Sequence, residues 1–400
     1  MLTSNDNDPA RGNELSFENT EIAFRHASNS ALKRAWWLFK FININFFVKA
    51  GPPITNFALK IGLPIKGIIR TTIFKQFCGG ETIAQCDETI KNLSEGGVGT
   101  ILDYSVEGED EEHVFDETRD EIIRTIERAK GDKAIPLTVF KITGVGRFAL
   151  LEKLDAKQAL TTVEEQEWKK VELRVTMICK KAHDLGIPIM IDAEESWIQN
   201  TIDELALAMM GIFNLKRPIV YNTYQLYRHD KLASLQEDHN MAVGLGFVLG
   251  AKLVRGAYME KENKRAAEKG YVSPIQPHKQ ATDGDYNEAL RYCITNIEWV
   301  AIVAGTHNED SCRLLADLLD AHKIDHNHPH VYFSQLLGMS DNLSFNLAHS
   351  HYNVAKYVPY GPVEAVLPYL FRRAQENTAI AGQMSRELGL ITKETKRRRI

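Results

Sequence analysis

Residues 163–196 read VEEQEWKKVELRVTMICKKAHDLGIPIMIDAEES, and the change of rhythm inside this stretch decides the fold. Its first part is a long, charged, amphipathic segment that closes on Gly186, a residue type that stops helices because it adopts a left-handed backbone without penalty. Its second part, IPIMIDAEES (187–196), is a short β-branched run that begins apolar and turns polar. A helix feeding directly into a buried strand is the unit of a parallel sheet. The unit recurs on both sides. GVGTILDYS (97–105) and AIPLTVFKITG (134–144) precede it, and RPIVYNTYQLY (217–227), GAKLVRGAYM (250–259), WVAIVAGTHN (299–308), HVYFSQLLGM (330–339) and NVAKYVPYGP (353–362) follow. Helix-like segments such as FDETRDEIIRTIERAK (115–130) fill the intervals. This repetition predicts an α/β fold, a (βα)8 TIM-like barrel rather than an open sheet, with an N-terminal helical region.

Each run starts apolar and ends polar, at Asp103, Lys141, Asp192 with Ala193 and Glu194, Gln225, Arg255 with Tyr258, Thr306 with His307 and Asn308, Gln335, and Tyr357. In such a barrel the C-terminal mouth holds the active site, so these ends are expected to converge on one cavity. A Lys, an Asp, a Gln and a Tyr embedded two or more residues before the loop are hard to read as mere loop markers. After the last run, VEAVLPYLFRRAQENTA (363–379) predicts a helix with Tyr369, Arg372, Arg373 and Glu376 along one face. Two guanidiniums sharing a stripe with an aromatic ring and a carboxylate form a clamp for a carboxylate ligand, which their forks can grip in paired contacts.

Of the 400 residues 44% are hydrophobic and 25% charged, which supplies a large core and excludes disorder, collagen and a coiled coil. Lys and Arg number 48 against 53 Asp and Glu, a net charge of −5. No global basic field collects nucleic acid, so any anion site must be local. The cysteines, at 78, 86, 179, 293 and 312, are widely spaced without a CxxC pair, so neither a disulfide framework nor a zinc knuckle is expected. The polar, acidic residues 1–21 resemble neither a secretory signal nor an Arg-rich transit peptide, which makes the cytoplasm the expected address. No apolar run approaches the ~20 residues that span a bilayer. The expected layout is a helical arm over 1–80 and a barrel over 81–400.

The ordered set FKITG, IDAEES, YNTYQLY, KLVRGAYM, GTHN, QLLGMS, YVPYG and YLFRRAQEN resembles the proline dehydrogenase family of flavoenzymes, over residues 75–385. One such motif is weak, whereas the whole series in order is specific. The resemblance implies a (βα)8 barrel with FAD held noncovalently above its mouth. It implies oxidation of L-proline to Δ1-pyrroline-5-carboxylate, the first step of proline degradation to glutamate. It further implies a membrane quinone as electron acceptor, peripheral contact with the membrane's inner face, and a pyrroline-5-carboxylate dehydrogenase as a candidate partner. Mitochondrial members of the family make the mitochondrion the alternative address.

By the same resemblance Arg372 and Arg373 would bind the proline carboxylate, with Lys141 as a third cation. Asp192 would be the strand-end aspartate that a buried Lys141 needs as partner. Tyr258, Leu336, Tyr357 and Tyr369 would wall the ring. Ala193, Gln225, Val254, Arg255, Gly256, Thr306, His307 and Glu376 would contact FAD. Many bacterial members read R-L-V-K-G-A-Y where this chain has Lys252 and then Arg255; both positions stay cationic, and Lys252 joins Asp192 as the expected catalytic pair. No GxGxxG fingerprint is present, in keeping with a barrel flavin site rather than a Rossmann one.

Three stretches stand outside the mouth. Residues 35–76 are apolar and aromatic with scattered Lys and Arg and almost no acid. They read either as a surface for an anionic membrane or as helices on the barrel's flank. DHNHPH places His326, His328 and His330 before the seventh run, away from the mouth, and no metal site is expected there. KETKRRRI (393–400) reads as a solvated end. Competing functions are a 4-hydroxyproline dehydrogenase of the same family, a lyase with Lys141 as imine-forming nucleophile, and a noncatalytic amino-acid binder.

Overall fold

The structure is a computed structural model that describes residues 15–42, 65–105, 111–379 and 383–400, with 42, 374–379 and 383–385 described as backbone only. Eight strands form: β1 (Gly99–Tyr104), β2 (Leu137–Phe140), β3 (Ile189–Ile191), β4 (Val220–Gln225), β5 (Leu249–Val254), β6 (Val300–Gly305), β7 (Val331–Leu336) and β8 (Val354–Tyr360). They pair in sequence order, all parallel, and β8 closes on β1 with Ile101 opposite Tyr357. The expected barrel is therefore observed, with strands shorter than the runs that announced them. The polar ends leave the ladder to build the mouth: Lys141, Asp192, Arg255 and Thr306 are each the first residue past a strand. The embedded position expected of the Lys is thus corrected for Lys141, while Asp103, Gln335 and Tyr357 do lie inside their strands and Gln225 ends its own.

The opening stretch shows why the units form. A helix runs Thr162–Leu185, begun by a capping box in which Glu164 N–H donates to Thr161 Oγ1 (3.3 Å) and Thr161 N–H to Glu164 Oε2 (2.8 Å). Gly186 ends it at φ 71°, its N–H returning to the Ala182 and His183 carbonyls. Val171, Val175, Ile178, Cys179 and Ala182, one stripe of that helix, are buried in the layer between helices and sheet. A second cluster, including Ile101, Leu137, Met190, Tyr221, Val303 and Tyr357, fills the barrel's interior. The barrel is packed shut except at its mouth.

A third cluster joins the chain's two ends. Phe24, Leu32 and Phe39, from the helices Thr20–Phe24 and Asn29–Ile42, pack with Val366 and Leu370 of the helix Val363–Ala379 and with Leu390 and Ile391 of the last helix, Gln383–Arg398. The solvated end expected for KETKRRRI is corrected here. Glu394 is fully buried and paired with Arg397 (2.9 Å) and Arg398 (2.7 Å), and Arg398 also donates to the Ala27 carbonyl (2.7 Å). A positive tail beside open helix-end carbonyls finds acceptors that solvent would otherwise supply. Of the stretch 35–76, residues 43–64 lie outside the described ones; Phe39 and Phe74 are buried, while Trp37 and Phe41 are about half exposed. His326 bonds Asp320 (2.7 Å) and stacks on Tyr352, and His330 bonds the Ile297 carbonyl (2.9 Å).

Candidate active site

At the C-terminal ends of the strands lies a cavity of about 640 Å³. Its floor is an ionic cluster on Asp192. Oδ2 accepts from Lys141 Nζ (3.0 Å) and from the Tyr357 hydroxyl (2.7 Å), and Oδ1 accepts from Lys252 Nζ (2.5 Å). Burial alone would raise the Asp192 pKa, yet the two ammonium groups and the hydrogen bonds from Lys252 and Tyr357 hold it well below the usual carboxylate range. Burial, with Asp103 and Asp192 alongside, pushes the Tyr357 phenol far up, so it stays protonated and donating. The Lys252 ammonium also lies 4.8 Å from the centre of the Tyr357 ring. Two lysines share Asp192, and Asp103, alongside Tyr357, adds a second carboxylate to the lining.

Across from the floor, the helix Val363–Ala379 delivers Tyr369, Arg372 and Arg373 to the cavity. Arg373 is 7% exposed and sits 5.1 Å from the Tyr369 ring centre. Glu376 lies on that helix, with its side chain outside the described residues. Leu336, Tyr258 and Ala193 also line the cavity.

The wall from β4 to β6 carries the remaining predicted residues: Gln225, Val254, Arg255, Gly256, Thr306 and His307. Arg255 is held at all three nitrogens: Nε to Asp283 (2.7 Å), Nη1 to Thr306 Oγ1 (2.7 Å) and Nη2 to Ser311 Oγ (2.9 Å), with Cζ 4.4 Å from the Tyr286 ring centre. It is a fixed cation rather than a searching one. Gln225 donates to the Glu194 carbonyl (2.7 Å). The Glu194 carboxyl, buried and bonded to Thr143, is pushed up to about 7 by burial despite the nearby Lys141. His307 is pulled down to about 3, first by burial and then by Lys356, Arg373 and Arg255, so the ring is neutral.

The order of these residues along the chain and their meeting at one mouth can be compared with known proteins. Residues 86–386 match the sequence model of a family described as proline dehydrogenase. The chain belongs to the proline dehydrogenase family. It is 33% identical over 434 aligned positions to "Proline dehydrogenase 1, mitochondrial" of Dictyostelium discoideum, covering 96% of this chain and 75% of that protein. It is 34% identical to the "Carbapenem antibiotics biosynthesis protein CarD" of Pectobacterium carotovorum subsp. carotovorum, over 80% of this chain and 83% of that one. Among solved structures, proline utilization A of Bdellovibrio bacteriovorus, inactivated by N-propargylglycine, superposes with a TM-score of 0.70 at 17% identity. That match covers 92% of this chain and 37% of the larger one, and it speaks to the fold.

In this member of the family, the cavity brings together every candidate residue whose side chain is described, together with others that sequence reasoning did not single out, among them Ser340, Arg386 and Glu387. Lys356, fully buried in β8, was missed as well. Lys356 Nζ reaches the Leu336 carbonyl (3.3 Å), the Met339 carbonyl and Asp341 Oδ1 (2.8 Å). Its one signal was a lysine inside an otherwise uncharged buried strand, which requires a partner. Ser340 closes the QLLGMS motif, which points to the mouth without giving the residue a role, and the last helix gave no signal, because nothing local ties it to the mouth. Among the described residues no group of three or more His, Cys, Asp or Glu could hold a metal ion.

Proposed function

We propose that the protein oxidises L-proline to Δ1-pyrroline-5-carboxylate with FAD as its cofactor and a membrane quinone as electron acceptor. The observation that carries this reading is the pair Arg372 and Arg373 facing a floor of Lys141, Lys252 and Asp192 across one cavity. A small anionic substrate enters an excess of positive charge, and two guanidiniums fix its carboxylate in orientation. Asp192 serves as counter-ion and acceptor: a carboxyl held so far down is a poor base. Tyr357 keeps its proton and its ring stays anchored, closing one side of the substrate's space.

The chain's residues fit a flavin. The cavity lies within the range of ligand pockets. Arg255, already anchored at three nitrogens, offers a rigid cation, and the neutral His307 and the Thr306 hydroxyl add polar groups without further charge. FAD, when bound, supplies the two-electron acceptor for the C–H bond next to the substrate nitrogen. Ala193, Gln225, Val254, Gly256 and Glu376 would complete its holding. A lyase using Lys141 as nucleophile fits less well, because that amine donates to Asp192 and must shed protons to attack a carbonyl.

The product, a cyclic imine carboxylate, calls for a pyrroline-5-carboxylate dehydrogenase as the next catalyst. The word mitochondrial in the name of the Dictyostelium relative supports the mitochondrial alternative over the cytoplasm. No described helix is long and apolar enough to cross a membrane. Purified protein should be yellow and should reduce an artificial dye when given L-proline. A flavin-loaded preparation that reduces no dye with proline overturns the reading.

A further inference from the structure

A helix with almost nothing apolar to bury follows β5. Residues Met259–Lys269 read MEKENKRAAEK, and among them only Glu262 and Ala266 are buried. Surface helices ordinarily dock through an apolar stripe, and one alanine methyl is no stripe. The helix starts at the cavity: Tyr258, which lines it, is the N-cap residue, and its carbonyl accepts the Glu262 N–H (2.9 Å). Whatever docks this helix therefore sets where Tyr258 stands.

The buried anchor is Glu262. It is fully buried and bonded at both oxygens: Oε1 accepts the Ser196 N–H (2.7 Å) and Oε2 the Ser196 hydroxyl (2.6 Å). Ser196 opens the helix Ser196–Phe213, which has no side-chain cap of its own and no acid in its first turn. A carboxylate there satisfies an amide that the helix itself cannot pair and faces the positive end of its dipole. That helix begins just after Asp192 and Ala193, so Glu262 ties the β3 side of the mouth to the β5 side. Two further ties run from Lys261 to Glu195 and from Arg265 to Glu152, with Arg265 Cζ 4.2 Å from the Trp197 ring centre. The Lys261 side chain is 56% exposed, and a pair in that setting holds less than a buried carboxylate with two donors. At the near end of the loop, Gly256 at φ 129° is pressed on Tyr227, whose ring a Cβ would meet at 2.4 Å. Tyr258 stands between these two fixed points. We infer that Glu262 is a positioning residue: by capping the helix Ser196–Phe213 from across the mouth, it holds Tyr258 in the wall of the substrate's space. The role of Tyr258 as that wall rests on the proposed function, whereas the docking is a property of the chain.

The test is a double-mutant cycle of Glu262→Ala and Tyr258→Ala in the FAD-loaded full chain, read by steady-state dye reduction with L-proline. Each single variant should raise KM roughly tenfold with kcat within about twofold, and the double variant should be no worse than Tyr258→Ala, because both changes act on one wall. Glu262→Gln keeps an acceptor for the amide and donates to the Ser196 oxygen, so it should restore the wild-type KM. KM losses that multiply in the double variant overturn the inference, as does a Glu262→Ala that lowers kcat alone, the mark of a smaller folded fraction. Should Glu262→Ala not fold, Glu262→Asp, one methylene short of Ser196, takes its place throughout. Hydrogen exchange of residues 256–269 reads the docking without substrate: it should quicken in Glu262→Ala and slow again in Glu262→Gln, and unchanged exchange overturns the inference. A wild type that oxidises no proline refutes the proposed function, and the exchange then decides the docking alone.

Discussion

Single side chains carry the sharpest consequences. Replacing Arg373 by Met removes a charge-assisted grip of about 1.5–3 kcal/mol, so KM for proline should rise roughly ten- to a hundredfold in steady-state assays. An unchanged KM would break the clamp assignment. Tyr357 bears on substrate choice: its hydroxyl is tied to Asp192 and its ring cannot swing aside to admit a 4-hydroxyl. Burying that hydroxyl without a partner costs about 1–3 kcal/mol, so kcat/KM for proline should exceed that for 4-hydroxyproline by roughly five- to 150-fold, and parity would refute the point. His307 makes a pH-dependent contribution whose sign is fixed. Its folded pKa of about 3 lies below the ordinary 6.5, so between these values the unfolded chain binds a proton that the native state does not. Stability is therefore lost as pH falls through that window. Glu194 and Glu387, both pushed up to about 7, act oppositely, losing stability as pH rises from about 4.5 to 7. The His307 part is isolated by difference: from pH 7 to 4.5 the urea-measured stability of wild type relative to His307→Asn should fall by about 2–3 kcal/mol.

Elements show what a sequence can and cannot declare. The eight strands were legible because a parallel strand buried on both faces must be a short apolar run, and because each gives way to polar residues where it reaches the mouth. The helix Val363–Ala379 was legible because its stripe is local, three and four residues apart. The last helix was not, since its partners, Phe24, Ala27 and Ser340, lie far away in sequence and only closure of the barrel brings them near. A basic tail looks the same whether water or helix-end carbonyls receive its donors. The distinction is measurable. Arg398→Ala removes contacts to Glu394, Phe24 and Ala27 and should destabilise the protein by about 1–3 kcal/mol, lowering the thermal midpoint. The exposed Lys396→Ala should leave it unchanged, and equal effects of the two would restore the picture of a solvated end.

For the whole molecule, the proposed quinone acceptor calls for a surface that meets a membrane. Deleting residues 35–76 is not a clean test, because Phe39, Phe74 and Ala35 belong to the cluster that binds the chain's two ends. Their loss would expose apolar surface and promote vesicle binding or aggregation for the wrong reason. A surface variant avoids this. Trp37 and Phe41 are 53% and 51% exposed, one helical turn apart, with rings 5.9 Å apart, and Lys40 lies over the Trp37 ring. Aromatic rings beside a cation suit the boundary between headgroups and acyl chains of an anionic bilayer. The wild type should therefore float with anionic phospholipid vesicles, and Trp37→Ser/Phe41→Ser should largely lose that. Reduction of a soluble dye with proline should stay unchanged in the variant, while reduction of a quinone dissolved in the vesicles should fall. Equal flotation of both proteins would assign these rings to the barrel's flank and direct the search for the membrane contact elsewhere on the surface.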